Sequence, residues 1–279
     1  MYVKDTLITV AKESLYGAGE ILRQNFRKKQ KVMYKKDSSK VTDIDYACND
    51  LIVGRIKQSF PDHVIFTEES EFALEQTMTH DPTWVIDPLD GTSNFISGIP
   101  IFGTMLCYVE NEEPIMSAIY DPIHDDFLLA YKGEGATING KPAGVSKTLV
   151  TRGAMMFAGR GYKQFERKRH SEIIMALEQE TTYFRRLGSA AIMLASVANA
   201  QADAVILTCG RLWDILPGAF LVQEAGGVVT DFSGNPWNIH SHDLVASNGM
   251  IHNQLIAITN PLVNAYDSHC THQDACSDE

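Results

Sequence analysis

Over residues 5–26 the apolar positions Leu7, Ile8, Ala11, Leu15, Ala18, Ile21, Leu22 and Phe26 recur every three or four residues. That period puts them on one face of an amphipathic helix. The basic run Arg27-Lys28-Lys29-Gln30-Lys31 follows, where cations complement the dipole of a helix end, and it is read as a solvated terminus. A second helix is predicted from Thr42, with Ala47, Leu51, Ile52 and Ile56 along one side. It stops at Phe60-Pro61, because the residue before a proline avoids the α region.

Two short apolar runs, Val64-Ile65-Phe66 and Trp84-Val85-Ile86, then read as strands that lead into acidic side chains. From residue 102 to 131, three β-rich runs are separated by turn signals at Asn111-Glu112-Glu113 and Asp121-Pro122. Further turns at Gly133-Glu134-Gly135 and Asn139-Gly140 complete the pattern of an antiparallel sheet. Beyond Gly153 helix and strand alternate, with helices predicted over 189–200 and 216–225 and strands over 203–207, 228–230 and 244–246. The sum is an α+β or α/β layered sandwich.

Composition leaves that picture intact: 44% hydrophobic and 21% charged residues in 279 suit a globular chain with a full core. Residues 1–263 are expected to form one unit of two closely packed lobes, about 1–150 and 151–263, followed by a disordered tail over 264–279. His269, Cys270, His272 and Cys276 in that tail match no zinc spacing. A net charge of −11 argues against a nucleic-acid partner, since duplex affinity comes from cations that neutralise phosphates. An anionic substrate would need local cations, which bound metal ions can supply. The chain has no apolar run long enough to span a membrane and no leader-like start, and its five cysteines are spread apart. The expectation is a cytoplasmic protein with free thiols.

The densest chemistry lies in Trp84-Val85-Ile86-Asp87-Pro88-Leu89-Asp90-Gly91-Thr92-Ser93-Asn94-Phe95. An apolar strand delivers Asp87, a turn is expected at Pro88, and Asp90 returns so that two carboxylates converge. Such a pair suits a hard cation, and two Mg²⁺ ions about 4 Å apart can stabilise entering and leaving oxygens at phosphorus. Gly91-Thr92 opens a short helix whose N–H groups would face phosphate oxygens. On composition alone the same hexapeptide is equally a capped turn.

This segment, with Trp213-Asp214-Ile215-Leu216-Pro217 and Gln223-Glu224-Ala225-Gly226-Gly227, resembles the inositol monophosphatase family of Mg²⁺-dependent, lithium-sensitive phosphatases. The similarity also takes in Val41-Thr42-Asp43-Ile44-Asp45, Phe66-Thr67-Glu68-Glu69-Ser70, Arg185, Gly188-Ser189-Ala190-Ala191 and Ala202-Asp203-Ala204. It implies stacked α-β-α-β-α layers. One metal would be held by Glu68, Asp87 and the Leu89 carbonyl, and a second by Asp87, Asp90 and Asp214. A third, weaker ion would lean on Glu68. Asp45 and Thr92 would position the attacking water for in-line hydrolysis, with Glu68 beside them, although Thr42-x-x-Asp45 is also a capping-box pattern. Substrate contacts would fall at Asp90, Gly91, Thr92, Ala190 and Asp214.

The resemblance implies a small phosphorylated metabolite as substrate and a homodimer. Trp213 is read as packing, Asp203 as a structural hydrogen-bonding carboxylate, and Glu224 as a late-helix residue, solvated or paired. Thr67 stands where the family has glycine before the Glu68-Glu69 pair. Leu207 stands where inositol-specific members carry a glutamate that holds ring hydroxyls. The ester is therefore open between inositol phosphate, 3′-phosphoadenosine nucleotides, histidinol phosphate and fructose bisphosphate, with a non-catalytic metal-binding scaffold as the contrasting reading. Lys35 or Lys36 is placed to reach a substrate phosphate, or to be a solvated loop cation.

Overall fold

The computed structural model describes residues 4–35, 39–70, 80–161, 163–181 and 183–262. The C-terminal tail therefore lies outside the described residues, as does Lys36. The first part runs α1 (Lys4–Asn25), β1 (Val32–Tyr34), β2 (Lys40–Thr42), α2 (Asp43–Ser59), β3 (Val64–Thr67), β4 (Thr83–Asp90) and α3 (Thr92–Ser97). A meander follows through β5 (Gly103–Glu110), β6 (Glu113–Asp121), β7 (Asp126–Tyr131), β8 (Gly135–Ile138) and β9 (Lys141–Pro142). The remainder is β10 (Met155–Arg160), α4 (Gln164–Glu180), β11 (Tyr183–Arg185), α5 (Ala190–Ala198), β12 (Ala204–Thr208) and α6 (Leu212–Glu224). It closes with β13 (Val228–Thr230), β14 (Leu244–Ser247) and α7 (His252–Thr259).

Strands β3 to β9 form a seven-stranded sheet in sequence order, antiparallel except for the β3–β4 pair. A five-stranded sheet has the order β11-β10-β12-β14-β13, with β10 parallel to both its neighbours. Alternation along the strands explains the layers. Trp84, Ile86, Leu106 and Tyr108 face α1 and α2, while Val85, Met105, Cys107 and Val109 face the opposite way into the core with α5 and α6. Because both sheet faces are covered, β4 and β5 read as continuous apolar runs rather than half-polar ones. The second sheet repeats the arrangement: Val205 and Leu207 join the α5–α6 layer, and Ala204 and Ile206 pack with Ile173 of α4 and Leu255 of α7. The result is the α-β-α-β-α stack.

Local chemistry starts and stops these elements. Thr42 caps α2, its hydroxyl accepting from Ile44 N while Asp45 returns to the Thr42 backbone in a capping box. Ser189 caps α5 by accepting from Ile192 N. Helix α6 begins at Leu212 rather than at residue 216, so Pro217 lies inside it, and the Pro217 carbonyl accepts from Ser117 Oγ at 2.5 Å. The predicted helix over 189–200 is shorter at both ends, with Asn199 as its C-cap.

Candidate active site

The site lies where the two sheets face each other across α5, in a cavity of about 420 Å³. Strand β4 supplies its floor. Side chains three apart on a regular strand point to opposite faces, so Asp87 and Asp90 should diverge. They do not, because the strand carries an extra residue. Asp87 pairs with Met105 and Asp90 with Gly103, so three steps on β4 oppose two on β5. The bulge resets the alternation and turns both carboxylates into the cavity. Pro88 has no N–H for the ladder, and Leu89 N turns back to Asp87 Oδ1 at 3.0 Å. The sequence expectation of a turn at Pro88 is thus corrected to a bulge within a continuous strand.

Glu68 and Asp214 reach the same point from elsewhere. Glu68 follows β3 and is tied down by its N–H on the Ile86 carbonyl at 3.2 Å. Asp214 lies in the first turn of α6, where its Oδ2 accepts from Arg211 N at 3.2 Å. One carboxylate oxygen from each of Glu68, Asp87 and Asp214 lies within 4.8 Å of the others. Burial, and then their mutual repulsion with Glu68 and Asp90, pushes Asp87 and Asp214 well above the usual carboxylate range.

Asp90 is held from the opposite layer. The Ser189 hydroxyl and Ala191 N, the latter at 2.8 Å, donate to its Oδ2, and Ala190 N adds a further hydrogen bond. Burial raises its pKa to about 6 against the pull of these donors. Gly91, at φ +92°, lets the chain leave β4 for α3, where a Cβ would stand 3.0 Å from the Ile101 carbonyl. Asn94 on α3 donates to the carbonyls of Ile101 and Leu187, both at 2.7 Å, and so ties the first sheet to the loop before α5.

Asp45 and Thr92 come together behind this cluster. Thr92 Oγ1 is 2.8 Å from Asp45 Oδ1 and 3.0 Å from the Leu89 carbonyl oxygen. Asp45 Oδ2 is taken by the Thr42 N–H at 2.9 Å and the Thr42 hydroxyl at 2.5 Å, so one carboxylate serves both the helix cap and the Thr92 contact. Burial raises its pKa. The two readings of Asp45 from sequence are therefore compatible in space.

Among the neighbouring cations, sequence patterning singles out Lys35 alone, as a phosphate contact or a solvated loop cation; here it is an ion-pair partner of the glutamates. Lys35 sits on the carboxylates, 2.8 Å from Glu68 Oε1 and 2.9 Å from Glu69 Oε1. Burial alone would lower its pKa, and the two glutamates overcome that and raise it. Lys40, Arg160, Lys163, Arg186 and Arg211 line the cavity. Their only sequence signal is that several flank turn glycines: Arg160-Gly161, Arg186-Leu187-Gly188 and Gly210-Arg211. Leu207 forms part of the wall and is buried. Thr67 adopts no glycine-like φ, and its hydroxyl donates to Asn49 Oδ1 at 2.8 Å, so glycine is not required there. Trp213 packs on Phe66, Asp203 accepts from Met155 N, and Glu224 accepts from Gly133 N and Gly135 N. Trp213 also lines the cavity, whereas Asp203 and Glu224 do not.

Comparison with known proteins adds an independent line. The model of the inositol monophosphatase family matches residues 3–264. An inositol monophosphatase 3 of Solanum lycopersicum is 34% identical over 92% of this chain and 97% of its own length. A fructose-1,6-bisphosphatase/inositol-1-monophosphatase of Thermotoga maritima is 37% identical over 80% and 83%. Among solved structures, a Thermotoga maritima inositol monophosphatase superposes with a TM-score of 0.83 at 33% identity, covering 94% of this chain and 99% of that one.

Proposed function

Because this chain belongs to the inositol monophosphatase family, and so is a metal-dependent phosphatase of small phosphorylated molecules, we propose that it hydrolyses a phosphate monoester by in-line attack of water, with Mg²⁺ held by Glu68, Asp87, Asp90, Asp214 and the Leu89 carbonyl. The observation that carries this reading is the meeting of Glu68, Asp87 and Asp214 within 4.8 Å in a mostly buried site. Like charges so close repel strongly in a low dielectric, and a divalent cation removes that cost. An all-oxygen donor set suits Mg²⁺ rather than a softer metal. Bound there, Mg²⁺ would lower the pKa of water and offset charge developing on the phosphate oxygens.

The chain's own groups divide the remaining work. Thr92 takes a proton from the incoming water and passes its own to Asp45 Oδ1, 2.8 Å away, while the leaving alkoxide takes its proton from solvent water and departs as the alcohol. The raised pKa of Asp45 makes it a better base for that proton. Ser189 and the first N–H groups of α5 orient Asp90, and substrate contacts fall to Gly91, Thr92, Ala190, Asp90 and Asp214.

Leu207 and the lining cations Lys40, Arg186 and Arg211 favour a second reading of the substrate. An apolar side chain cannot accept from ring hydroxyls, whereas guanidinium and ammonium groups recognise an additional anion. A bisphosphate, such as fructose bisphosphate or a 3′-phosphoadenosine nucleotide, is therefore favoured over inositol phosphate and histidinol phosphate. Phosphate release from these four substrates, with and without Mg²⁺, tests both readings. The expected result is Mg²⁺-dependent turnover with the largest kcat/KM on a bisphosphate. No release above an Asp87→Asn control on any substrate, with or without Li⁺ as inhibitor, would leave a metal-binding scaffold.

A further inference from the structure

The turn joining β12 to α6, Thr208-Cys209-Gly210-Arg211, forms one wall of the cavity and leads directly into Asp214. Cys209 adopts φ +56° there, the left-handed region that residues with a Cβ rarely occupy. Such a conformation persists only when its surroundings impose it. The β12–β14 ladder ends at the Leu207–Leu244 pair, one residue before Thr208 and two before Cys209. Cys209 N is met by the Asp243 side chain, whose Oδ1 accepts from it at 3.2 Å.

Asp243 is itself fixed. Its Oδ2 lies 2.7 Å from Arg169 Nη2, and both side chains are almost fully buried between α4 and the second sheet. The Arg169 guanidinium in turn lies over the Phe232 ring, 5.0 Å from its centroid. Two backbone bonds flank the contact: Gly161 N donates to Thr208 O and Gly210 N donates to His242 O, both at 3.1 Å. At Gly210 a Cβ would stand 2.5 Å from Ile215 Cδ1, so a larger residue would require that side chain to move.

We propose that Arg169 and Asp243 are positioning residues, a buried ion pair that pins Cys209 in its left-handed conformation and thereby sets where Arg211 and Asp214 enter the site. Neither touches the reacting atoms. Their influence passes through the Cys209 N–H and the two-residue step from Gly210 to the first turn of α6. The inference rests on the phosphatase reading only for its effect on turnover, because the effect on Asp214 is open to direct measurement.

The test replaces the pair together, as Arg169→Met with Asp243→Leu, so that no charge is left buried alone. Exchanging a buried pair for apolar groups of similar size is often neutral or stabilising, so the melting temperature should hold or rise. Mg²⁺ affinity by calorimetry should nevertheless fall by about tenfold, the scale of the left-handed strain no longer opposed. Adding Cys209→Gly should restore most of it, because glycine takes φ +56° without a brace. An Asp243→Asn variant, which keeps an oxygen for Cys209 N–H, should lie between. A folded double variant with wild-type Mg²⁺ affinity overturns the proposal, as does a triple variant no better than the double. Should the double variant not fold, a wild-type Mg²⁺ constant for folded Asp243→Ala, which removes the acceptor of Cys209 N–H, overturns it equally. Calorimetry needs no turnover, so a wild-type protein inactive on every ester would refute the phosphatase reading and leave this measurement standing.

Discussion

Asp87 stands at the centre of the carboxylate cluster, fully surrounded by Glu68, Asp90 and Asp214, with its pKa raised by burial and by their charge. Replacing it with asparagine keeps the shape and removes a ligand. Asp87→Asn is expected to abolish calorimetrically detectable Mg²⁺ binding and to lower kcat by at least about 1,000-fold, the scale set by losing charge stabilisation in a preorganised site. A different residue reports on acid. His170 is buried on α4, and burial, then Arg186 and Arg160, push its pKa down to about 4. The unfolded chain binds that proton near pH 6.5, so its contribution is present above pH 6.5 and is lost as pH falls towards 4. Burial lowers His63 and His252 in the same direction. Because the buried carboxylates contribute equally to both proteins, the comparison isolates the histidine: in urea unfolding from pH 7 down to 4, the midpoint of His170→Phe should gain on that of the wild type as pH falls.

At the scale of elements, the bulge in β4 decides whether two aspartates meet. Deleting Leu89 would regularise the ladder with the two aspartates two apart on one face, but it removes the Leu89 carbonyl proposed as a ligand and its contact with Thr92. Such a variant should lose the Mg²⁺-induced rise in melting temperature. Ser189→Ala removes at once the cap of α5 and a donor to Asp90, and should cost about 1–2 kcal/mol in urea unfolding. The caps were legible in the sequence: Thr42-x-x-Asp45 gave the start of α2, and the apolar period gave α1 within a residue at each end. The meander was legible from its turn signals. Helix α4 was not, because Glu166, Arg169 and His170 fill its buried face and leave no clean apolar stripe. Strand β10 was likewise unmarked. The bulge was hidden for a related reason: the sequence shows two acids flanking a proline, whereas their common orientation depends on the register of β5.

Taken as a whole molecule, the net charge of −11 and the inward-facing carboxylates act together. Burial and their mutual charge raise Asp87, Asp90 and Asp214, so the metal-free fold binds more protons than the unfolded chain between the ordinary carboxylate range and the raised values. Their folded values being raised, the metal-free protein loses stability as pH rises through that window. Divalent cations should reverse this, since a ligand that binds only the folded state stabilises it. Melting curves with EDTA and with Mg²⁺ should therefore diverge as pH rises from about 4 to 7, the gap widening upward. The cavity itself was not readable from the sequence, because its cations come from β2, β10, the residue capping α4, the β11–α5 loop and the β12–α6 turn, none of which shares a local pattern.

The tie made by Asn94, between the first sheet and the loop before α5, has a bearing on biosynthesis. A ribosome emits Asp45, Glu68, Asp87, Asp90 and Thr92 long before Ser189 and Asp214. During translation, then, the emerging amino-terminal half carries an incomplete ring of acids with no closing partner. Since Asp214 completes the cluster with Glu68 and Asp87, full metal affinity is expected only after the second sheet has been synthesised and has docked.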